Sequence, residues 1–226
     1  FPPMVEQAIV RRRAWANEFF QAYADSLTRE SARGTVGVCF ADGLVSGNLN
    51  RRQVADLAKL FVIAGSETTA NLIGNATAVL VDHPDLFRRI GADRHLIPVF
   101  IEEALRYDTP AQNLLRRCTQ RFELGAASIP EGALVMLLLG SANRDSAYFL
   151  NPDTFDMARK PADHLAFGLG AHFCLGARLA RVEARIAFQE LFARLPDGAA
   201  LSIPARRVFR SSSRIRGLET LQLRVT

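Results

Sequence analysis

The chain reads as mainly α-helical with small β-sheets, an α+β class, on three observations. A proline-free run extends from Asn50 to His83, strand-like alternation occupies residues 112–140, and a helical pattern returns at Leu175–Leu195 after an irregular stretch rich in Pro and Gly. With 226 residues and 49% hydrophobic composition there is apolar material for one sizeable core, so a single domain over residues 1–226 is expected.

Taken in order, residues 1–30 predict one or two helices, with Ile9, Trp15, Phe19, Phe20 and Tyr23 at helix-like spacing among charged neighbours. Residues 31–48 hold Gly34, Gly37, Gly43 and Gly47, which predicts a loop or irregular turn. Asn50 is a plausible N-cap for the long run to His83, a helix of roughly 45 Å at 1.5 Å per residue. Its middle, Leu57 to Ala70, is apolar on nearly every face, as in a helix that crosses a core. Pro84 starts a short helix, and an amphipathic one covers Ile97 to Tyr107 before Thr109 and Pro110. Strands follow, with a tight turn at Ile129 to Gly132 and a buried strand expected within Ala133 to Gly140. Beyond Pro196 strands and turns complete the chain.

The formal net charge of +5 comes from 28 basic residues spread along the chain, which argues against nucleic acid and favours an acidic partner such as a small iron–sulfur electron carrier. Cys39, Cys118 and Cys174 lie far apart with no paired spacing, consistent with a reducing compartment, and cytoplasmic location is expected. No apolar run approaches the ~20 residues of a membrane span.

The most informative stretch runs Phe167, Gly168, Leu169, Gly170, Ala171, His172, Phe173, Cys174, Leu175, Gly176 into an Ala- and Arg-rich helix. Gly168 and Gly170 permit backbone angles that side chains forbid, so the loop can fold tightly against a flat ligand, and Gly176 allows close approach. A cysteine at a helix start is favoured as thiolate by the dipole and the unpaired amides. A lone cysteine is more often a buried structural residue, and zinc would need two further nearby ligands beside His172 and Cys174. The full spacing, however, resembles the haem-binding signature of the cytochrome P450 family, Phe-Gly-x-Gly-x-His/Arg-x-Cys-x-Gly, at every fixed position.

That resemblance implies a cytochrome P450 fold, of which this chain would be the C-terminal portion, with a long central helix and a cysteine-ligand loop. It assigns Cys174 as the axial thiolate to iron, the metal site, and His172 as a donor to a haem propionate. Ala64, Gly65, Ser66, Glu67, Thr68, Thr69 resembles the family's central-helix motif, in which small Ala64 and Gly65 leave room for oxygen while Glu67 and Thr68 relay protons as the catalytic pair. Glu103, Ala104, Leu105, Arg106 matches the family's Glu-x-x-Arg, and the resemblance adds Arg159 as third member of a structural network. Arg116 is the expected second propionate donor, with Arg117 on the opposite strand face. Phe167, Gly168, Gly170, Gly176 and Ala180 complete the haem contacts, and Leu114, Leu115 and Ser213 are the substrate candidates.

The implied activity is a haem-thiolate monooxygenase. It would use haem b and dioxygen to hydroxylate or epoxidise a small hydrophobic substrate, with electrons from a ferredoxin-type or flavin-type donor. Complete family members carry nearly as much chain again upstream, so an N-terminal part is expected to be absent here. The alternative is a truncated haem-binding or interaction remnant without monooxygenase activity.

Overall fold

The computed structural model describes residues 3–159, 163–196, 198–203 and 207–226, with side chains from residue 14 onward, so Ile9 lies outside the described side chains. The chain packs as two compact units, Phe1–Ser66 and Glu67–Thr226.

The first unit is helical: α1 (Pro3–Ser26), α2 (Gly34–Val45) and the opening turns of α3 (Arg51–Asp82). Its core joins Ala24 of α1 and Leu27 just after it to Phe40 and Ala41 of α2 and to Val54, Ala55 and Ala58 of α3. The expected loop at residues 31–48 is thus corrected: most of it is α2. Its glycines split by role. Gly34 and Gly47 flank or begin the helix at φ +66° and +74°, where Cβ is disfavoured. Inside it, a Cβ on Gly43 would lie 2.7 Å from the Leu49 side chain, so this glycine lets the following turn close.

Asn50 and Gln53 start α3 with a reciprocal cap. The Asn50 side-chain oxygen accepts from the Gln53 amide and Gln53 returns an acceptor to the Asn50 amide, both at 2.9 Å. The expectation that Leu57–Ala70 crosses a core is corrected as well. Leu60, Phe61, Val62 and Ile63 are 43–63% exposed, although Phe40 meets the Phe61 ring edge-on at 6.0 Å. Burial instead falls on the later turns of α3, at Leu72, Ala76, Val79 and Leu80.

Those later turns begin the second unit. They pack with α4 (Pro84–Ala92), α5 (Ile97–Tyr107) and α7 (Ala177–Arg194) around Ile90, Ile97, Phe100, Ile101, Leu105, Phe188 and Phe192. Phe100 meets Phe188 edge-on at 5.2 Å, and Phe87 stacks on Phe192 at 5.0 Å, which ties α5 and α4 to α7. Four antiparallel two-stranded ribbons surround this core. β1 (Leu114–Arg117) pairs with β4 (Leu134–Leu137), β2 (Phe122–Leu124) with β3 (Ala127–Ile129), β5 (Leu201–Ser202) with β8 (Arg224–Val225), and β6 (Val208–Phe209) with β7 (Leu218–Thr220). Gly132, at φ +80°, makes the turn into β4, with the Ala133 amide donating to Pro130.

β4 is not the buried strand expected there: Leu134, Met136 and Leu137 stand exposed on a ribbon with no covering layer. A short α6 (Leu139–Ala142) follows it. Among the described residues no helix is long and apolar enough to cross a membrane, and all three cysteines are free.

Candidate functional site

Cys174 stands exposed at the end of the glycine loop. Gly168 and Gly170, at φ +71° and +76°, adopt the left-handed angles that the loop requires, and residues Gly170–His172 form a single 3-10 turn. The fold of the loop is held by its own backbone. The Cys174 amide donates to Phe167 at 2.9 Å, and the Phe173 amide to Gly170 at 3.0 Å. Around the thiol, Leu169, Phe173 and Leu175 are 51–85% exposed, and His172 is exposed beside them.

The geometry corrects one local expectation. Gly176 is the N-cap of α7, so Cys174 lies two residues ahead of the cap and its carbonyl, rather than its thiol, receives the Ala177 amide at 3.2 Å. A Cβ on Gly176 would meet the Cys174 sulfur at 3.9 Å, an ordinary contact. Ala180 is half-buried one turn into α7, its amide donating to Gly176.

Glu103, Arg106 and Arg159 meet in one buried network. Arg106, 2% exposed, donates from Nε and one terminal nitrogen to the two Glu103 oxygens at 2.8 and 2.7 Å. Its remaining donors reach the carbonyls of Asn143, Pro152 and Thr154 at 2.8–3.1 Å, so all five guanidinium hydrogens are used. Glu103 also accepts from the Asp156 amide at 2.9 Å and from Arg159 at 3.3 Å. Arg159 in turn donates to the Asn151 and Thr154 carbonyls, which closes the irregular segment on itself.

Four further residues, invisible to motif reasoning, tie the segment around the cysteine loop to α5 and α7. Asn143, fully buried, donates to Thr109 and accepts from the Leu165 amide, both at 2.6 Å. Glu102, next to Glu103 but turned to α7, takes a two-pronged Arg181 at 2.6 and 2.8 Å and His164 at 3.1 Å. Burial pushes the Glu102 carboxyl up, but the Arg181 and His164 bonds and charges outweigh it and hold it at about 2. Consecutive carboxylates on one helix lie about 100° apart, and that divergence was the available signal for a second, separate contact.

On α3, Glu67 is exposed and ion-paired to Arg210 at 3.1 Å, a partner not foreseen, while Thr68 is half-buried. Gly65 is exposed, with open space where a Cβ would sit, and Ala64 is exposed beside it. On β1, Leu114 and Arg116 are half-buried while Leu115 and Arg117 are exposed, an alternation that keeps the two arginines on opposite faces. The segment before β1 runs beside residues 213–216: Asn113 donates to the Ser213 carbonyl at 2.7 Å and Ala111 bridges Ile215. Leu114 and Ser213 are thereby brought to one neighbourhood. A cavity of about 290 Å³ between α5 and α7 is lined by Pro98, Val99, Glu102 and Arg181 among others, and Cys174 is not part of it.

The "Cytochrome P450" family model matches residues 13–195. The chain is 43% identical over 177 residues to cytochrome P450 107B1 of Saccharopolyspora erythraea, covering 78% of this chain and 44% of that one. It is 37% identical over 215 residues to pentalenic acid synthase of Streptomyces avermitilis, covering 95% and 53%. Among solved structures, the tirandamycin C-bound P450 monooxygenase TamI superposes with a TM-score of 0.87 at 33% identity, over 94% of this chain and 54% of that one. The chain therefore spans about half the length of the relatives it matches.

Proposed function

The chain belongs to the cytochrome P450 family, and we propose that it carries the thiolate side of a haem-dependent monooxygenase acting on a small hydrophobic substrate in the cytoplasm. The observation that carries this is the free, exposed Cys174 at the tip of a loop shaped by two left-handed glycines.

The residues present fit haem b. A soft sulfur donor is flanked by the exposed apolar side chains of Leu169, Phe173 and Leu175, a surface suited to a flat apolar ring. His172 and Arg116 are available as donors to its carboxylates. When bound, haem supplies the redox-active iron at which dioxygen is reduced and its O–O bond cleaved.

In this reading Cys174 would hold the haem iron through its sulfur, with the loop's backbone bonds keeping the residue in place. Glu67 and Thr68 hold and pass protons, with Arg210 paired to the Glu67 carboxylate. Leu114, Leu115 and Ser213 line the substrate side. Electrons come from a ferredoxin-type or flavin-type donor drawn to the basic surface.

The test is to load the protein with haem, reduce it and add carbon monoxide. A thiolate-ligated ferrous haem gives a long-wavelength Soret band, which Cys174→Ser abolishes. Thr68→Ala keeps the band but diverts reducing equivalents to peroxide. A band that survives in Cys174→Ser refutes the ligand assignment.

A second reading, a haem-binding or interaction remnant without turnover, is favoured by one observation. Leu60–Ile63 on α3, Leu175 just ahead of α7, and Leu179, Val182 and Ile186 along α7 all stand exposed, so these apolar faces are uncovered among the described residues. Turnover with a surrogate reductase separates the two readings.

A further inference from the structure

The cysteine loop is short of contacts that would hold it from outside. Its internal bonds are backbone ones, and the residues on either side of the thiol are exposed. A loop this open exchanges among conformers unless something fastens it to the helices behind.

Three side chains do so from the α5–α7 side. His164 sits three residues before Phe167, and its Nδ1 accepts from the Ala166 amide at 3.3 Å, which leaves the Nε2 hydrogen to donate to Glu102. Arg181, one turn into α7, grips the same carboxylate with a two-pronged bond and lays its guanidinium over the Phe167 ring at 4.5 Å. Phe167 is the residue whose carbonyl accepts the Cys174 amide. A continuous path of contacts therefore runs from Glu102 on α5, through Arg181 and Phe167, to the backbone of Cys174.

We infer that Glu102, His164 and Arg181 are a positioning set that clamps the cysteine loop to α5 and α7 and keeps a guanidinium charge against the Phe167 ring, whose backbone carbonyl holds the Cys174 amide. This rests on the reading of Cys174 as the working thiolate. It adds residues that the Glu103–Arg106–Arg159 network does not include: Glu103 faces the irregular segment at residues 150–159, while Glu102 faces Arg181 on α7 and His164 ahead of the loop. The charge component rests on the same geometry: the guanidinium over the Phe167 ring is one residue and one hydrogen bond removed from the Cys174 amide.

Two measurements on the haem-free full chain separate clamp from charge. Hydrogen exchange reads the clamp: in Glu102→Gln and Arg181→Gln the Cys174 and Phe173 amides exchange about ten-fold faster or more, while those of the Phe188 turn in α7 are unchanged. Reaction of Cys174 with an anionic aromatic disulfide and with a neutral maleimide, in a Cys39→Ser/Cys118→Ser background, reads the charge. The ratio of the two rates cancels any change in the thiolate fraction common to both reagents. Arg181→Gln lowers that ratio by about three-fold or more at low salt, and the loss disappears at high salt.

Arg181→Lys restores the ratio but not the amide protection, because an ammonium keeps the charge and lacks the fork. Exchange within two-fold of wild type in both Gln variants, or loosening spread evenly through α7, overturns the clamp. A ratio unmoved in Arg181→Gln overturns the charge role. Loss of the carbon monoxide band expectation for Cys174 would instead strike the ligand reading, and the two exchange outcomes would still stand or fall by themselves.

Discussion

Replacing Arg106 by Ala removes the cation at the centre of the buried network, and its cost follows from what each partner loses. Glu103, 5% exposed, keeps only the Asp156 amide and the 3.3 Å contact with Arg159. Removing one partner of a buried ion pair typically costs about 3–5 kcal/mol, because the other charge stays desolvated. Three carbonyls, of Asn143, Pro152 and Thr154, lose their donor at the same time. Water entering the vacated volume recovers part of that, so about 4 kcal/mol is expected overall. Set against a typical total of 5–15 kcal/mol, roughly a third or more of the stability is lost. Arg106→Lys keeps the charge but offers three donors with no planar fork, so about half that loss is expected, near 2 kcal/mol. Urea unfolding of the haem-free chain followed by far-ultraviolet circular dichroism measures both, and at a slope of ~2 kcal/mol/M the Ala variant unfolds about 2 M earlier. A loss below about 1 kcal/mol in Arg106→Ala refutes the argument that the pair is desolvated. Equal losses in Ala and Lys refute the argument that the fork matters.

Two further outcomes follow from the same structure. Because the Glu102 carboxyl is held at about 2 against its ordinary 4.5, the pair stabilises the fold above the ordinary value, and that contribution is lost as pH falls toward 2. The displacement corresponds to roughly 3 kcal/mol, reduced to about 1–2 because Arg181 is partly solvated. Wild type should thus exceed Glu102→Gln by that amount at pH 6 and converge with it near pH 2, and a difference independent of pH would contradict the assignment. Gly217→Ala places a methyl inside the Asn71 carboxamide, for an expected loss of about 1–3 kcal/mol. Thermal unfolding of that variant and of Gly217→Ala/Asn71→Ala checks it: if the second change relieves nothing, the clash lies elsewhere.

What was legible in the sequence and what was not divides along contact range. The cap at Asn50 and Gln53, the end of α5 before Pro110 and the turn at Gly132 are decided by neighbours a few residues away, and residue type alone carries that information. The misreading of residues 31–48 shows the opposite case. Four glycines in 18 residues favour a loop locally, yet burial of Phe40 and Ala41 against α1 and α3 outweighs the backbone entropy of two interior glycines. The apolar runs at Leu60–Ile63 and Leu134–Leu138 mislead for a related reason. Hydrophobicity says that a surface is suited to burial, while burial itself needs a partner, and among the described residues these runs stay largely exposed.

The candidate site follows the same division. The glycine angles that shape the cysteine loop are local and can be read from spacing. The side chains that fasten it are joined across long separations: Glu102 to Arg181 over 79 positions, Glu103 to Asp156 over 53, and Asn143 to Leu165 over 22. Single residues of this kind carry no local pattern, since an Asn capping a four-residue helix and an Arg within an Arg-rich one look like solvated surface. Their function appears only once packing shows which of them are dry. A motif therefore marks where the reactive atom sits, and the tertiary contacts decide whether it is held still enough to be used.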